Sequence, residues 1–330
     1  MKLAPMAFVV CVMLVFASHA QVRRGQEYSD WEPIVHLPPP INSEFDDHAA
    51  ILSKDEKTMY FTSNRTGSVG GSEDIWISKR KTRNSRWQKP FRLGNGINTG
   101  AMERVRSFSG DGRILLFQSD RFGGFGLTDI WAVVRRRVND DFNWSQPVNL
   151  GSMINSPFTE LAANYLFADE RDRGRGDERA DQGRANRVAK LFFSSTKPGG
   201  YGGPDIYEST INDLGFNFSV NVSELNSPSI ETCFWVRDDG LEMIFSSNRP
   251  NLTGDINFHD MWVSTRESVY HPWERPEKLG PNINVPGYQD VNPAFSFDNR
   301  TMLMASRRPG GIGPGSFDIY VTTRRRVARR

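Results

Sequence analysis

One phrase recurs five times along this chain, and a chain of five like units has few folds open to it. The phrase is an apolar run closing on Ser and a basic residue, then a Gly-rich loop, then Asp-apolar-aromatic. Its copies are Met59 to Arg65 with Asp74-Ile75-Trp76, Leu115 to Arg121 with Asp129-Ile130-Trp131, and Leu191 to Lys197 with Asp205-Ile206-Tyr207. Met243 to Arg249 with Asp260-Met261-Trp262 and Leu303 to Arg308 with Asp318-Ile319-Tyr320 complete the set. Successive Asp positions lie 55, 76, 55 and 58 residues apart. The long interval holds an insertion at 169 to 187, with six acids, six Arg and almost nothing apolar, which predicts an extended, mobile loop between the first two strands of the third unit.

A second phrase precedes each copy: Ile41-Asn42, Ile97-Asn98, Ile154-Asn155, Leu225-Asn226 and Ile283-Asn284. The basic residue follows this Asn by 23 positions in units one, two and four and by 24 in the fifth. A third phrase, Trp-x-x-Pro or a variant, falls between units at Trp31, Trp87, Trp144 and Trp273, with Phe216 to Phe218 in the weaker place. Each unit thus offers four short strands, and helix-period patterns are nearly absent. Asp111-Gly112 and Asp239-Gly240 mark hairpins between first and second strands. The reading is all-β: a five-bladed β-propeller of four-stranded antiparallel blades over residues 21 to 323. Trp31 to Leu37 is a fourth-strand segment with no blade before it, while the fifth unit supplies only three strands. The N-terminal strand is therefore expected to complete the last blade and close the ring, leaving no bare sheet edge.

The repeated Ser-x-Asp-Gly, apolar-Phe-x-Ser-x-Arg-x-Gly-Gly and Asp-Ile-Tyr/Trp phrases resemble the WD40-like β-propeller repeat of the Tol-associated periplasmic propeller and other exported bacterial propeller proteins. The likeness spans about residues 31 to 323. It implies the propeller fold and a role in binding or assembly at the cell envelope, although fold alone does not settle chemistry.

Residues 1 to 20 read as a secretory signal: Lys2, an apolar run from Ala7 to Phe16, then Ser18-His19-Ala20. That run is short for a membrane span, and no later segment approaches one, so no transmembrane segment is expected. The expected location is secreted or periplasmic. With 41 Lys plus Arg against 39 Asp plus Glu, the chain has no global field for a polyanion, and nucleic acid is not an expected partner. Arg324 to Arg330 reads as a basic tail, solvated or touching an acidic partner. Cys233, the one cysteine beyond the leader, sits beside Phe234 and Trp235 and reads as an inert buried thiol. Asn64, Asn143, Asn217, Asn221, Asn251 and Asn299 match the glycosylation sequon, relevant in a host that glycosylates.

An acid stands five residues after each Asn, at Asp47, Glu103, Glu160 and Glu231, and six after it at Asp290. Each begins an innermost strand, so the five are ligand-binding candidates for a ring at the channel mouth, holding a cation such as calcium or a polar ligand such as a sugar. The other reading is scaffold, each acid bonding neighbouring loops or pairing with a basic residue. Arg65, Arg121, Lys197, Arg249 and Arg308, with Asp74, Asp129, Asp205, Asp260 and Asp318, read as a structural motif that holds the Gly-rich loops shut. Glycines such as Gly123-Gly124, Gly199-Gly200 and Gly310-Gly311 then serve positive φ rather than a phosphate cradle. No cofactor follows from these patterns. His36, His48, His259 and His271 lack close zinc spacing, with His48 singled out beside Asp47.

Two functions remain. The leading one is a secreted, non-catalytic propeller at the envelope that binds a protein or carbohydrate on the face of the Ile-Asn and Arg-Gly-Gly loops. The alternative is a glycoside hydrolase with carboxylates drawn from the ring. Catalysis needs an acid and a base in different environments, which five near-equivalent acids do not display. No Gly-x-Ser-x-Gly elbow occurs.

Overall fold

The computed structural model describes residues 28–94, 96–169, 187–213, 215–250 and 258–327; the leader expected at 1 to 20 lies outside them. Apolar runs alternating with turn signals fold into five antiparallel sheets. The first is β2 (Asp47–Leu52), β3 (Thr58–Ser63), β4 (Asp74–Lys79) and β5 (Phe91–Arg92), preceded in the chain by β1 (Val35–His36). The second is β6 (Glu103–Phe108), β7 (Ile114–Ser119), β8 (Asp129–Val134) and β9 (Val148–Asn149). The third holds β10 (Glu160–Asp169), β11 (Arg187–Ser195), β12 (Asp205–Asn212), β13 (Gly215–Phe216) and β14 (Val220–Asn221). The fourth is β15 (Glu231–Val236), β16 (Glu242–Ser247), β17 (Asp260–Thr265) and β18 (Glu277–Lys278), and the fifth is β19 (Asp290–Phe295), β20 (Thr301–Ser306) and β21 (Asp318–Thr323). Innermost strands touch in the cyclic order β2, β6, β10, β15, β19 and back to β2, which makes the five sheets blades of a propeller.

Closure follows the strand count. β1 pairs antiparallel with β21, Val35 opposite Val321 and His36 opposite Tyr320, so the last blade takes its outer strand from the beginning of the chain. The Phe of each apolar-Phe-x-Ser run (Phe61, Phe117, Phe193, Phe245) is fully buried between blades, each contributing about 2–3 kcal/mol of apolar burial.

Three details depart from the sequence reading. In blade 3 the ladder extends to Asp169 opposite Arg187, so the end residues of the insertion are strand rather than loop; positions 170–186 lie outside the described residues. β12 there pairs with β13 as well as β14, Ile211 opposite Phe216 and Asn212 opposite Gly215. Arg324, assigned to the basic tail, is instead buried inside the closure: it pairs with Glu242 at 2.7 Å and stacks on Trp31 and Tyr28.

Candidate functional site

The recurring Asn explains itself first. In every blade its side-chain oxygen accepts the N–H of the residue after the motif Asp, at 2.7–2.8 Å: Asn98 from Ile75, Asn155 from Ile130, Asn226 from Ile206, Asn284 from Met261 and Asn42 from Ile319. Its amide returns a hydrogen bond to the same residue's carbonyl. The Asn continues the outer edge of the third strand where the fourth has ended, satisfying backbone groups that would otherwise be buried and unpaired.

The residue after Asn then fixes the acid. Ser43 donates both N–H and hydroxyl to Asp47 (2.6 and 2.7 Å), Thr99 to Glu103 (2.8 and 2.6 Å), Ser156 to Glu160 (3.0 and 2.6 Å) and Ser227 to Glu231 (2.9 and 2.6 Å). In blade 5 Val285 has only its N–H to give, at 3.0 Å from Asp290. Ile-Asn-Ser/Thr is therefore a longer signal than Ile-Asn, legible in four of five units. The second-strand Ser adds a hydroxyl, as Ser119 to Glu103 at 3.1 Å and Ser247 to Glu231 at 2.9 Å.

The basic residue completes the pocket by pairing with the innermost acid rather than with the motif Asp. Arg65 pairs with Asp47 at 2.5 Å, Arg121 with Glu103 and Arg249 with Glu231 at 3.0 Å, and Arg308 with Asp290 at 2.6 Å. Each guanidinium also donates to the carbonyl before the Asn, Ile41, Ile97, Leu225 or Ile283. Arg121 lies 4.8 Å over Phe117 and 5.3 Å over Trp131; Arg65 and Arg249 are stacked alike on two rings, and Arg308 on Tyr320 alone, where Met304 replaces the Phe. Blade 3 differs: Lys197 reaches Ser219 instead, and burial pushes the Glu160 carboxyl up.

The motif Asp residues close the Gly-rich loops without Arg65, Arg121, Lys197, Arg249 or Arg308. Asp74 accepts the Val69 N–H at 2.8 Å, Asp129 that of Phe125, Asp205 that of Tyr201 and Asp318 that of Ile312. From the outer strand they meet Arg92, Asn149, Asn221 and His36, and Asp260 meets Lys278 at 2.5 Å. The paired glycines divide the work: Gly199 takes φ +96°, while a Cβ on Gly200 would stand 2.1 Å from the Asp205 carboxylate.

All five innermost acids have no exposed surface, and their oxygens face their own blade. The axis is lined instead by residues two and three positions further on, among them Ala49, Arg106, Ala162, Cys233 and Asn292, and it leaves about 20 Å³ for the centres of water molecules, room for about one. His48 stands at that mouth, 3.3 Å from Glu73 and 3.5 Å from Asn292. Glu73 also accepts from Arg104; burial opposes its ionisation, but His48 and Arg104 outweigh it and hold the carboxyl well below its usual range. His259 is half-buried, His36 braces Asp318, and His271 is exposed beside Ser268. Among the described residues no group of three His, Cys, Asp or Glu is placed to hold a metal ion.

The face carrying the Ile-Asn and Arg-Gly-Gly loops has a feature the phrases did not signal. Phe122, Phe125, Leu127, Phe158 and Tyr201 are exposed, Phe122 completely. The first three occupy the β7–β8 loop, Phe158 follows Ile154-Asn155, and Tyr201 lies in the β11–β12 loop. Hydrogen bonds tie the loops together: Leu127 N–H to Phe158 carbonyl at 2.9 Å, and Thr159 N–H to the Thr196 hydroxyl at 3.1 Å.

With this geometry established, likeness to known proteins adds the fold. No family model matches the chain and no curated protein matches it. Among solved structures, a thermostable family-43 glycoside hydrolase superposes with TM-score 0.53 at 10% identity, over 88% of this chain and 93% of its own. A protein from Dyadobacter fermentans of unknown function does so with TM-score 0.47 at 12% identity, over 92% of this chain and 100% of its own. The α-L-arabinofuranosidase PaAbf62A from Podospora anserina reaches TM-score 0.49 at 11% identity, over 91% and 98%. At such identities the likeness defines a five-bladed propeller and nothing finer. Among the described residues no helix is long and apolar enough to cross a membrane.

Proposed function

We propose that this chain is an exported, non-catalytic binding propeller, secreted or periplasmic, that holds a protein partner at the envelope on the loop face of blades 2 and 3. One observation carries the reading: the exposed cluster of Phe122, Phe125, Leu127, Phe158 and Tyr201 on adjacent loops. Monomeric proteins seldom leave several large rings together in water, and such patches mark interaction sites. A sugar site would set rings beside polar groups that hydrogen-bond hydroxyls. Here the carboxylates that might serve are buried and engaged, which favours an apolar protein surface over a glycan. The test is a photo-crosslinking residue at Phe125 or Tyr201, with Phe218 on an outer loop as control, in cells making the chain from its own gene. A discrete protein adduct from the first two positions and none from the third supports the reading; a soluble glycan that raises Tm in wild type but not in Phe125→Ser would move the ligand to carbohydrate.

A second reading, glycoside hydrolysis, is supported by the propeller shared with the family-43 hydrolase and by one asymmetry: burial raises the carboxyls of Glu160, which has no Arg partner, and of Asp290 among the ring acids, as a general acid requires. Against it stands the burial of Glu160 and of every other ring acid, none presenting an oxygen to a substrate.

A further inference from the structure

The axis of the ring carries a guanidinium, Arg106, that has the Cys233 thiol, the Gln118 amide and the more distant Glu73 as neighbours but no ion pair of its own among the described residues. Each innermost strand is bulged just past its acid, and bulges re-aim side chains. In three blades the residue two beyond the acid adopts left-handed backbone without being Gly: Ala49 (φ 49°), Cys233 (φ 47°) and Asn292 (φ 57°). Such conformations cost energy and collect where a site needs them. They bring Cys233 and Asn292 to the wall of the cavity that Arg106 enters from blade 2.

Two guanidinium groups, Arg104 and Arg106, face one carboxylate, Glu73, near this axis, and Glu73 is bonded to Arg104 and His48. Arg106 donates to the neutral Gln118. Its Nε–H is buried with no acceptor, and it has no ion pair among the described residues. Burial lowers this guanidinium only to about 10, with Cys233 and Glu73 opposing the drop, so it stays charged at neutral pH, and a half-buried cation with one N–H left without an acceptor favours an anion beside it. A cation such as calcium would be repelled from this space.

We infer that the axial cavity is a site for one small monovalent anion of the halide class, held by the Arg106 guanidinium with the Cys233 thiol and the Asn292 amide at its wall. The room is about that of one water molecule, and a halide is only slightly larger. The anion pins blades 2, 4 and 5 together through one ligand from each, a structural role independent of what binds the outer face.

The experiment is crystallisation with bromide, read by anomalous difference density, beside thermal denaturation in chloride against gluconate at equal ionic strength. The expected result is a peak on the axis within hydrogen-bonding reach of Arg106 and a Tm about 2 °C higher in chloride, a difference abolished in Arg106→Met. An empty axis with equal Tm in the two salts overturns the site. So does a thiolate absorbance from Cys233 at neutral pH, lost in Cys233→Ser, because the thiolate would then be the counter-charge. Should Arg106→Met fail to fold, the bromide map of the wild-type protein decides alone.

Discussion

Asn42 accepts the N–H of Ile319 at 2.8 Å and donates back to its carbonyl at 2.9 Å, a contact spanning 277 residues of chain. The same side chain in other blades spans only 20 to 25, so one local device here serves as the latch of the ring. Asn42→Ala is expected to cost about 2–3 kcal/mol, from lost hydrogen bonds and unsatisfied buried groups. Hydrogen exchange should show amides of β1 and β21 opening together, whereas Asn98→Ala loosens blade 1 alone. Equal protection of β1 in the two variants would contradict the latch.

A second buried network joins blades 1 and 2. Asp141 accepts from Tyr60, from Arg135 at 2.5 Å and from Lys79 at 2.8 Å, while Arg135 lies 4.5 Å over Trp144. Arg135→Met leaves a buried carboxylate short of its main partner and should lower stability by about 3–4 kcal/mol in denaturant titration. A loss under about 1 kcal/mol would show the pair to be dispensable.

Much of this was legible because repetition multiplies weak signals. Three phrases in fixed order gave five blades, and the surplus Trp31 segment gave the closure. Spacing places Asp47, Glu103, Glu160, Glu231 and Asp290 at the strand starts and leaves their direction open between a channel-mouth ring and scaffold; the structure turns them into the blade, towards Ser/Thr, Ser and, outside blade 3, Arg. The bulge that turns Cys233 and Asn292 to the axis has no sequence mark, since neither is Gly. Arg80, Arg135, Arg266 and Arg324, six residues after the motif Asp, stack 4.1–4.5 Å over Trp87, Trp144, Trp273 and Trp31. That second Arg-Trp pairing was written in the spacing and passed over. Exposure of Phe122 was not, because a Phe beside Arg in a loop reads the same whether buried or bare.

The loop-closing Asp74 makes stability depend on pH. Burial, with repulsion from Glu103, pushes its carboxyl from 3.8 up to about 6, against the Val69 hydrogen bond and Arg92. The folded protein therefore holds this proton more tightly than the unfolded chain. The contribution is present below about pH 4 and lost as pH rises through 6. In Tm measurements across that window, Asp74→Asn should lose less stability than wild type; parallel curves would contradict the assignment.

Blade 3 tests the clamp by repair. Lys197→Arg should let a guanidinium reach Glu160 as Arg121 reaches Glu103, stabilising by about 1 kcal/mol and drawing the raised Glu160 carboxyl back down. The stability that wild type loses as pH rises through that raised value should then be retained. An unchanged pH profile would mean that geometry in blade 3 forbids the pair.

The account rests on the ring acids being scaffold in a protein that binds and does not cleave. Its most direct test is the pair Glu103→Gln and Glu160→Gln, combined, assayed for stability and for turnover of aryl glycosides and polysaccharides beside the wild type. The account predicts no turnover in either protein and a loss of about 3 kcal/mol or more in the variant, from Arg121 left buried without its carboxylate. Turnover by wild type that vanishes in a variant of native stability would contradict it and make the chain a hydrolase.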